Sequence, residues 1–298
     1  LHLSRVPTAV PAALAKRSIG LFFEKPSLRT RVSCEAACVN LGAHPIQLRA
    51  EELQLFRGES PLDMARVLGG YLHLLLARVY RHDLLEEFAE ASTLPIVNGL
   101  SDRFHPLQSL ADLLTLVQEW GPDLTGRKVV YLGDGNNVCR SLAFACVLSG
   151  ISFVAACPKR YQLEEASVSR LLEITAASGG SFSQTEDPAA AVRDADALYT
   201  DVWASMGDEA EASDRLATFA PYQLNEELFA GAKGDAIALH CLPAHRGEEI
   251  STEVLEGPRS RVFQQAHNRL PATAALFLFL LAPQVSKTLV TLERSERR

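Results

Sequence analysis

The chain has 298 residues, about two domains' worth at roughly 150 residues each, or one large α/β unit. Hydrophobic residues make up 47% and charged residues 22%, a globular composition that excludes disordered, collagen-like and disulfide-stapled classes. The balance of 29 Lys and Arg against 36 Asp and Glu gives −7, so no nucleic acid is held by bulk attraction, and a phosphate ligand needs a local cluster of cations.

Residues 1–23 open on Leu1 and carry three basic residues and no acid. That is a weak likeness to a transit peptide, read here as the ragged lead-in of a trimmed or incomplete start. SIGLFF at 18–23 reads as a buried strand, 29–41 as a helix stopped by Gly42, and 45–48 as a short strand. Ser60-Pro61-Leu62-Asp63 is a helix start, with a Ser cap, Pro in the first turn and an acid at the third position. Strands at 73–79 and 95–97 flank an acidic helix at 84–90, and a long apolar-periodic helix at 106–120 runs into Gly121-Pro122. A second series has strands at 128–132, 151–155, 181–183, 197–200 and 236–239, with helices at 137–148, 163–177, 188–194 and 222–230. Strands that alternate with helices imply two doubly wound parallel-sheet α/β domains, joined near 105–122 by the long helix. The last helix, 270–281, is left uncommitted between them. The longest apolar run, 274–283, falls far short of the roughly 20 residues a membrane span requires, so the expectation is a soluble protein with no membrane partner.

In open parallel sheets ligands bind beyond the carboxyl ends of strands, at helix N-termini. After the first strand come Ser27, Arg29, Thr30 and Arg31, which suit a phosphate: helix-end N–H groups attract it and guanidinium grips it. The same residues would also make a capped helix with solvated arginines. Arg78 ends an apolar strand, where a charge needs a partner. His105 and Gln108 stand three apart at a helix entrance and could hydrogen-bond a small carbonyl compound, unless His105 is only a cap. Gly133-Asp134-Gly135-Asn136-Asn137 has the look of a dinucleotide loop, but Val138 stands where the third Gly is needed. Cys157-Pro158-Lys159 replaces the ribose-binding acid, so a nicotinamide cofactor is disfavoured. Asp201, Ser205 and Gly207 offer a carboxylate, a hydroxyl and a flexible hinge after another strand. Cys241, in His240-Cys241-Leu242-Pro243, is a candidate nucleophile or ligand, but no second Cys or acid lies at ligand spacing and no metal is expected. The six cysteines include no C-x-x-C and read as reduced thiols, with Cys34, Cys38, Cys146 and Cys157 in the core.

These segments together resemble the transcarbamoylase family. The matching pieces are FEKPSLRTRVS, the RGES loop with Gln54 upstream, Arg78, FHPLQSLADLLT, GDGNNV, YTDVWASMGDE, HCLPAHRGEEI and NRL at 268–270, in family order over roughly residues 16–282. The SMG and HCLP combination is similar to the ornithine branch rather than the aspartate branch. The resemblance implies two doubly wound domains with the active site between them: 1–118 for carbamoyl phosphate and 119–264 for ornithine. It also implies a C-terminal helix, 265–298, that returns to the first domain, and a homotrimer in the cytoplasm or, alternatively, the mitochondrial matrix. The implied reaction transfers a carbamoyl group from carbamoyl phosphate to the side-chain amine of ornithine, giving citrulline and phosphate in arginine biosynthesis, with no cofactor.

Carried onto this chain, the resemblance assigns carbamoyl phosphate to Ser27, Leu28, Arg29, Thr30, Arg78, His105, Gln108, Cys241, Leu242 and Arg269, with Gln54 reaching in from a neighbouring subunit. It assigns ornithine to Asn137, Asp201, Ser205 and Met206, and catalysis to Arg78, His105, Asp201 and Cys241. The implied N-terminal helix that packs near the C-terminal helix has no counterpart in the sequence reading. Leu28, Gly70, His73, Leu107, His267 and Ala274 depart from the family pattern. Two other readings stay open: a sister enzyme acting on putrescine or an N-acylated ornithine, and a weakly active member serving as a subunit.

Overall fold

Leu74, Leu75, Leu76 and Ala77 are each no more than 1% exposed, burial on both faces that a parallel sheet covered by helices requires. The computed structural model describes residues 2–6, 9–10, 12–49, 58, 60–203 and 212–295. The chain divides into one unit of Leu1–Ala111 with His267–Arg298 and a second of Asp112–Ala266.

The first unit contains α1 (His2–Arg5), β1 (Ser18–Phe23), α2 (Leu28–Asn40), β2 (His44–Arg49), α3 (Pro61–Gly69), β3 (Leu74–Arg78), α4 (His82–Ala91) and β4 (Ile96–Leu100). Helix α5 (Pro106–Trp120) carries the chain across into the second unit. That unit contains β5 (Lys128–Leu132), α6 (Asn137–Leu148), β6 (Ser152–Ala156), α7 (Glu165–Ser178), β7 (Ser181–Thr185), α8 (Pro188–Ala191) and β8 (Ala197–Thr200). It continues through α9 (Ala212–Phe219), α10 (Glu226–Ala230), β9 (Ile237–His240), α11 (Thr252–Leu255) and α12 (Val262–His267). Helices α13 (Arg269–Leu281) and α14 (Pro283–Ser295) belong to the first unit.

Both sheets are parallel, in the orders β2-β1-β3-β4 and β7-β6-β5-β8-β9. The order reverses between β1 and β3 in one sheet and between β5 and β8 in the other, so the loops after those strands diverge and leave a crevice. In the first unit Ile19, Leu21, Leu74 and Leu76 pack with Cys34, Cys38, Phe277 and Leu278, while Phe22, Leu75 and Ala77 face Met64, Leu85 and Phe88. Helix α13 is thereby committed to the first unit through Phe277 and Leu278. In the second unit Val129, Tyr131, Tyr199 and Leu239 face α6, and Val130, Leu132, Leu198 and Ala238 face Phe219, Phe229 and Val262.

Local chemistry explains most boundaries. Ser60 Oγ accepts the Asp63 N–H at 3.1 Å, the cap read from the sequence. Three expectations are corrected. The helix expected at 188–194 ends at Ala191, and Asp194 turns back with φ 58°. The helix expected from 222 starts at Glu226, because Asn225 Oδ1 caps it through the Leu228 N–H at 2.9 Å. Helix α14 opens at Pro283, since Pro is well tolerated in a first turn. One turn of helix does precede β1: α1 places Leu3 in the same buried cluster as Phe277. The departures Leu107 and Ala274 are buried in that cluster, and His73 Nδ1 accepts the Ser18 N–H at 3.1 Å. No helix among the described residues is long and apolar enough to cross a membrane.

Asp196, just before β8, holds the amino end of the second sheet together. Its buried carboxylate accepts from Arg127 Nη1 at 2.9 Å, the Lys128 N–H at 2.8 Å and Lys233 Nζ at 2.9 Å. Burial pushes this carboxyl up, but the hydrogen bonds from Lys128, Lys233 and Arg127 outweigh it and hold the group below its ordinary value. A depressed folded-state pKa contributes stability that is present above the unfolded value and lost as pH falls through the folded one. Asp196→Asn should therefore lower stability by about 2 kcal/mol at neutral pH, and the gap should close in acid; denaturant melts of both proteins at pH 7 and pH 3 check it.

Candidate active site

The first unit gathers cations at the carboxyl ends of β1 and β3. Ser27 is the N-cap residue of α2 and makes no side-chain cap bond, so the first N–H groups of that helix face outward with Leu28, which is 72% exposed. Arg29 is exposed and Thr30 is buried one residue further along. Arg78 is the last residue of β3, in register with Phe23 of β1. Glu24 ties the two loops: its N–H donates to the Arg78 carbonyl at 2.9 Å, and its Oε2 accepts the Tyr80 N–H at 2.7 Å.

Arg269 comes from the far end of the sequence, as the first residue of α13, and is 3% exposed. Its Nη1 donates to Gln108 Oε1 at 2.7 Å and its Nη2 to Thr30 Oγ1 at 3.0 Å. The Thr30 hydrogen is left to donate elsewhere. His105, in the turn entering α5, is 6% exposed. Burial first, and then the charges of Arg269, Arg78 and Arg29, push its imidazole well below the ordinary histidine value. The ring is therefore neutral at physiological pH and can donate one N–H without adding charge. A neutral donor ringed by three guanidiniums suits a small anion that carries a carbonyl.

The second unit gathers a different set at the carboxyl ends of β5, β8 and β9. Asn136 caps α6, with Oδ1 accepting the Val138 N–H at 2.9 Å and the Cys139 N–H at 3.1 Å. Its Nδ2 donates to Asp201 Oδ2 at 3.0 Å. Asp201 Oδ1 accepts the Val202 N–H at 2.8 Å and the Cys241 thiol at 2.9 Å. Burial, followed by the Asp201 charge, pushes the Cys241 thiol well above its ordinary value, so it is a hydrogen-bond donor and not a thiolate nucleophile. Asn137 is the first residue of α6, beside Asn136.

The segment after β9 is shaped by a buried pair. His240 Nε2 lies 3.0 Å from Glu249 Oε1, and the Leu242 N–H donates to His240 Nδ1 at 2.8 Å. That assigns the ring hydrogen to Nε2. Leu242 has φ 58° and precedes a cis peptide to Pro243. Asp201, His240 and Cys241 bring ligand-type atoms within 4.8 Å of one another, but both nitrogens of His240 are committed to these bonds. Ligation by His240 would displace one of these two bonds.

Of the residues singled out by sequence, Thr30, Gln108 and Arg269 meet through hydrogen bonds, and His105, Arg78 and Arg29 meet through charge. Asp201 and Cys241 meet directly. Gln54, Ser205 and Met206 lie outside the described residues. The sequence reading missed Asn136 and Glu249. The first carried a readable signal, since Asn before an apolar helix is a cap; the second had none, because a glutamate in HRGEE gives no sign of burial.

The fold agrees with the known proteins this chain resembles. Residues 2–118 match the family profile described as the aspartate/ornithine carbamoyltransferase carbamoyl-P binding domain. Residues 125–280 match the Asp/Orn binding domain of the same family. The ornithine carbamoyltransferase of Methanosarcina acetivorans is 48% identical over 268 residues, 90% of this chain and 87% of that one. The solved ornithine carbamoyltransferase of Pyrococcus furiosus superposes with a TM-score of 0.89 at 46% identity, covering 93% of this chain and 88% of its own. The anabolic enzyme of Campylobacter jejuni gives 0.87 at 36% identity, covering 94% and 92%. This chain belongs to the aspartate/ornithine carbamoyltransferase family.

Because the Asp201 charge is the second cause of the raised Cys241 pKa, Asp201→Asn should move alkylation of Cys241 to lower pH. Burial should still leave it slower than a peptide thiol. Mass-spectrometric rates with iodoacetamide between pH 7 and pH 10 measure both.

Proposed function

We propose that this chain is an ornithine carbamoyltransferase, transferring the carbamoyl group of carbamoyl phosphate to the side-chain amine of L-ornithine to give L-citrulline and phosphate. The observation that carries the reading is the buried, neutral His105 ringed by the charges of Arg269, Arg78 and Arg29, in the unit that matches the carbamoyl-P binding domain. Relatives of similar length bear the ornithine name, and one is called anabolic, which supports a biosynthetic role.

In this reading the first N–H groups of α2 at Ser27 and Leu28, with Arg29, Thr30 and Arg269, hold the phosphate. Gln54 adds to the pocket from the next subunit of a homotrimer. Arg78, Thr30 and His105 donate to the carbamoyl oxygen as it gains negative charge. Gln108 and the Leu242 carbonyl orient the carbamoyl NH₂. Asn137, Asp201, Ser205 and Met206 hold ornithine, and Cys241 lies beside its reacting amine.

The substrate brings its own nucleophile. The amine nitrogen bonds to the carbamoyl carbon, the bond from that carbon to the bridging oxygen breaks, and phosphate departs with the electron pair. Two protons leave in all: one frees the amine before attack, and the second leaves the nitrogen as the new bond forms, toward Asp201. An alkylamine with pKa about 10.4 is mostly protonated at pH 7, and freeing it costs about 3.4 units, or about 4.6 kcal/mol. Asp201 stabilises the ammonium before that loss, and the Cys241 thiol donates to Asp201 without competing for the proton.

Phosphate release from carbamoyl phosphate, with ornithine, putrescine, N-acetylornithine or aspartate offered in parallel, tests the reading. Ornithine alone should support release, with citrulline formed; turnover with another amine, or with none, contradicts it. While chemistry limits, kcat/KM for ornithine should rise about tenfold per pH unit from pH 6 to 8 as the free amine grows, and a flat profile over that range contradicts the proton argument. His105→Leu should cost about 10²–10³ in kcat, the loss of one oxyanion donor, with the melting temperature nearly unchanged.

A further inference from the structure

Ser101 is fully buried just after β4, and its hydroxyl joins two loops of the first unit. The Phe104 N–H donates to Ser101 Oγ at 3.2 Å, and Asn98 Nδ2 donates to the same oxygen at 3.2 Å. His82 Nδ1 lies 2.9 Å from the same hydroxyl oxygen, a hydrogen bond between ring and hydroxyl. The other ring nitrogen, Nε2, faces Glu86 Oε1 at 3.7 Å.

The same two loops are tied again through their backbones. The His82 N–H donates to Asp102 Oδ1 at 2.8 Å, the Asp102 N–H to the Tyr80 carbonyl at 3.1 Å, and the Val79 N–H to the Leu100 carbonyl at 2.9 Å. The Ser101 N–H closes the turn onto the Phe104 carbonyl at 2.9 Å. The His82 ring stands edge-on to Phe104, with centroids 5.4 Å apart. The loop that leaves Arg78 thus fixes the turn that delivers His105.

We infer that His82, acting through the Ser101 hydroxyl, is a positioning residue that sets His105 against Arg78. The inference rests on the reading of this unit as the carbamoyl phosphate site. His82 lies outside the hydrophobic cores of the unit and belongs to none of the groups assigned to substrate. Its part is to hold the Ser101 hydroxyl at one point. Without the ring that tie is lost, and the hydroxyl that receives the Phe104 N–H is held less firmly. His105, the next residue, shifts with it.

The test compares His82→Leu, which has no hydrogen-bonding group, with His82→Gln, whose amide can hydrogen-bond the Ser101 hydroxyl. His82→Leu should lower kcat about tenfold through misplacement of His105, with KM for ornithine unchanged. His82→Gln should recover activity to within about twofold of the original. Hydrogen exchange at the Phe104 amide should quicken in His82→Leu and not in His82→Gln. Adding Ser101→Ala to His82→Leu should cost less than Ser101→Ala costs alone, as expected of two members of one network. Equal activity in both variants, or losses in both that merely track the melting temperature, overturns the inference. If the unaltered protein transfers no carbamoyl group to any amine, the functional reading fails by itself. The exchange result then decides, since unchanged Phe104 protection in His82→Leu overturns the positioning role.

Discussion

A buried guanidinium is the constraint on which the first unit depends. Arg269 is 3% exposed, and it binds neutral oxygens of Thr30 and Gln108. Placing a cation there is expensive unless its hydrogen bonds are kept. Those bonds join the first turn of α2, the first turn of α5 and the start of α13. The apolar face of α13, with Phe277 and Leu278, seats the helix on the sheet, and that seat fixes where the charge falls. The chain must therefore cross to the second unit and return before the cluster is complete. Burial does most to keep His105 neutral, and the Arg269 charge adds to it, so the residue that ties the cluster together also bears on its protonation.

The second unit solves the opposite problem, placing an acid where it stays available. Three donors converge on Asp201, from Asn136, Val202 and Cys241. Each comes from a loop at the carboxyl end of a strand or from the loop of Asp201 itself. The pinned His240–Glu249 pair shapes the backbone beyond Cys241, through the Leu242 N–H. None of these groups is a nucleophile, which agrees with a reaction in which the incoming amine supplies the bond-forming electrons. The work left to the protein in that reaction is to place charges and hydrogen bonds around the reacting groups.

Much of the fold is legible in the sequence because its signals are local. SIGLFF, KVVYL and ALYT form strands with the expected limits, since short apolar runs between turns have few other solutions. The 106–120 helix has both its bounds as read, fixed by Pro106 and Gly121. Expectations fail where a boundary depends on one residue: Asn225 moves the start of α10, and Asp194, with φ 58°, lies beyond the end of α8 at Ala191. The site is legible in type, because cations and hydroxyls after strands have few structural uses. The contacts themselves are not, since Arg269 meets Thr30 across 239 residues of sequence. Glu249 is hidden for the same reason, its burial being decided by His240.

In the proposed function the buried cluster around Arg269 is by itself an anion site for carbamoyl phosphate. Equilibrium binding of carbamoyl phosphate and of inorganic phosphate, without ornithine, measures this directly by calorimetry on the unaltered protein and on Arg269→Met. Binding of both anions by the unaltered protein, and loss of both in a variant that still melts cooperatively, is the predicted result. Undiminished binding by Arg269→Met, or no binding by the unaltered protein until an amine is present, contradicts the account.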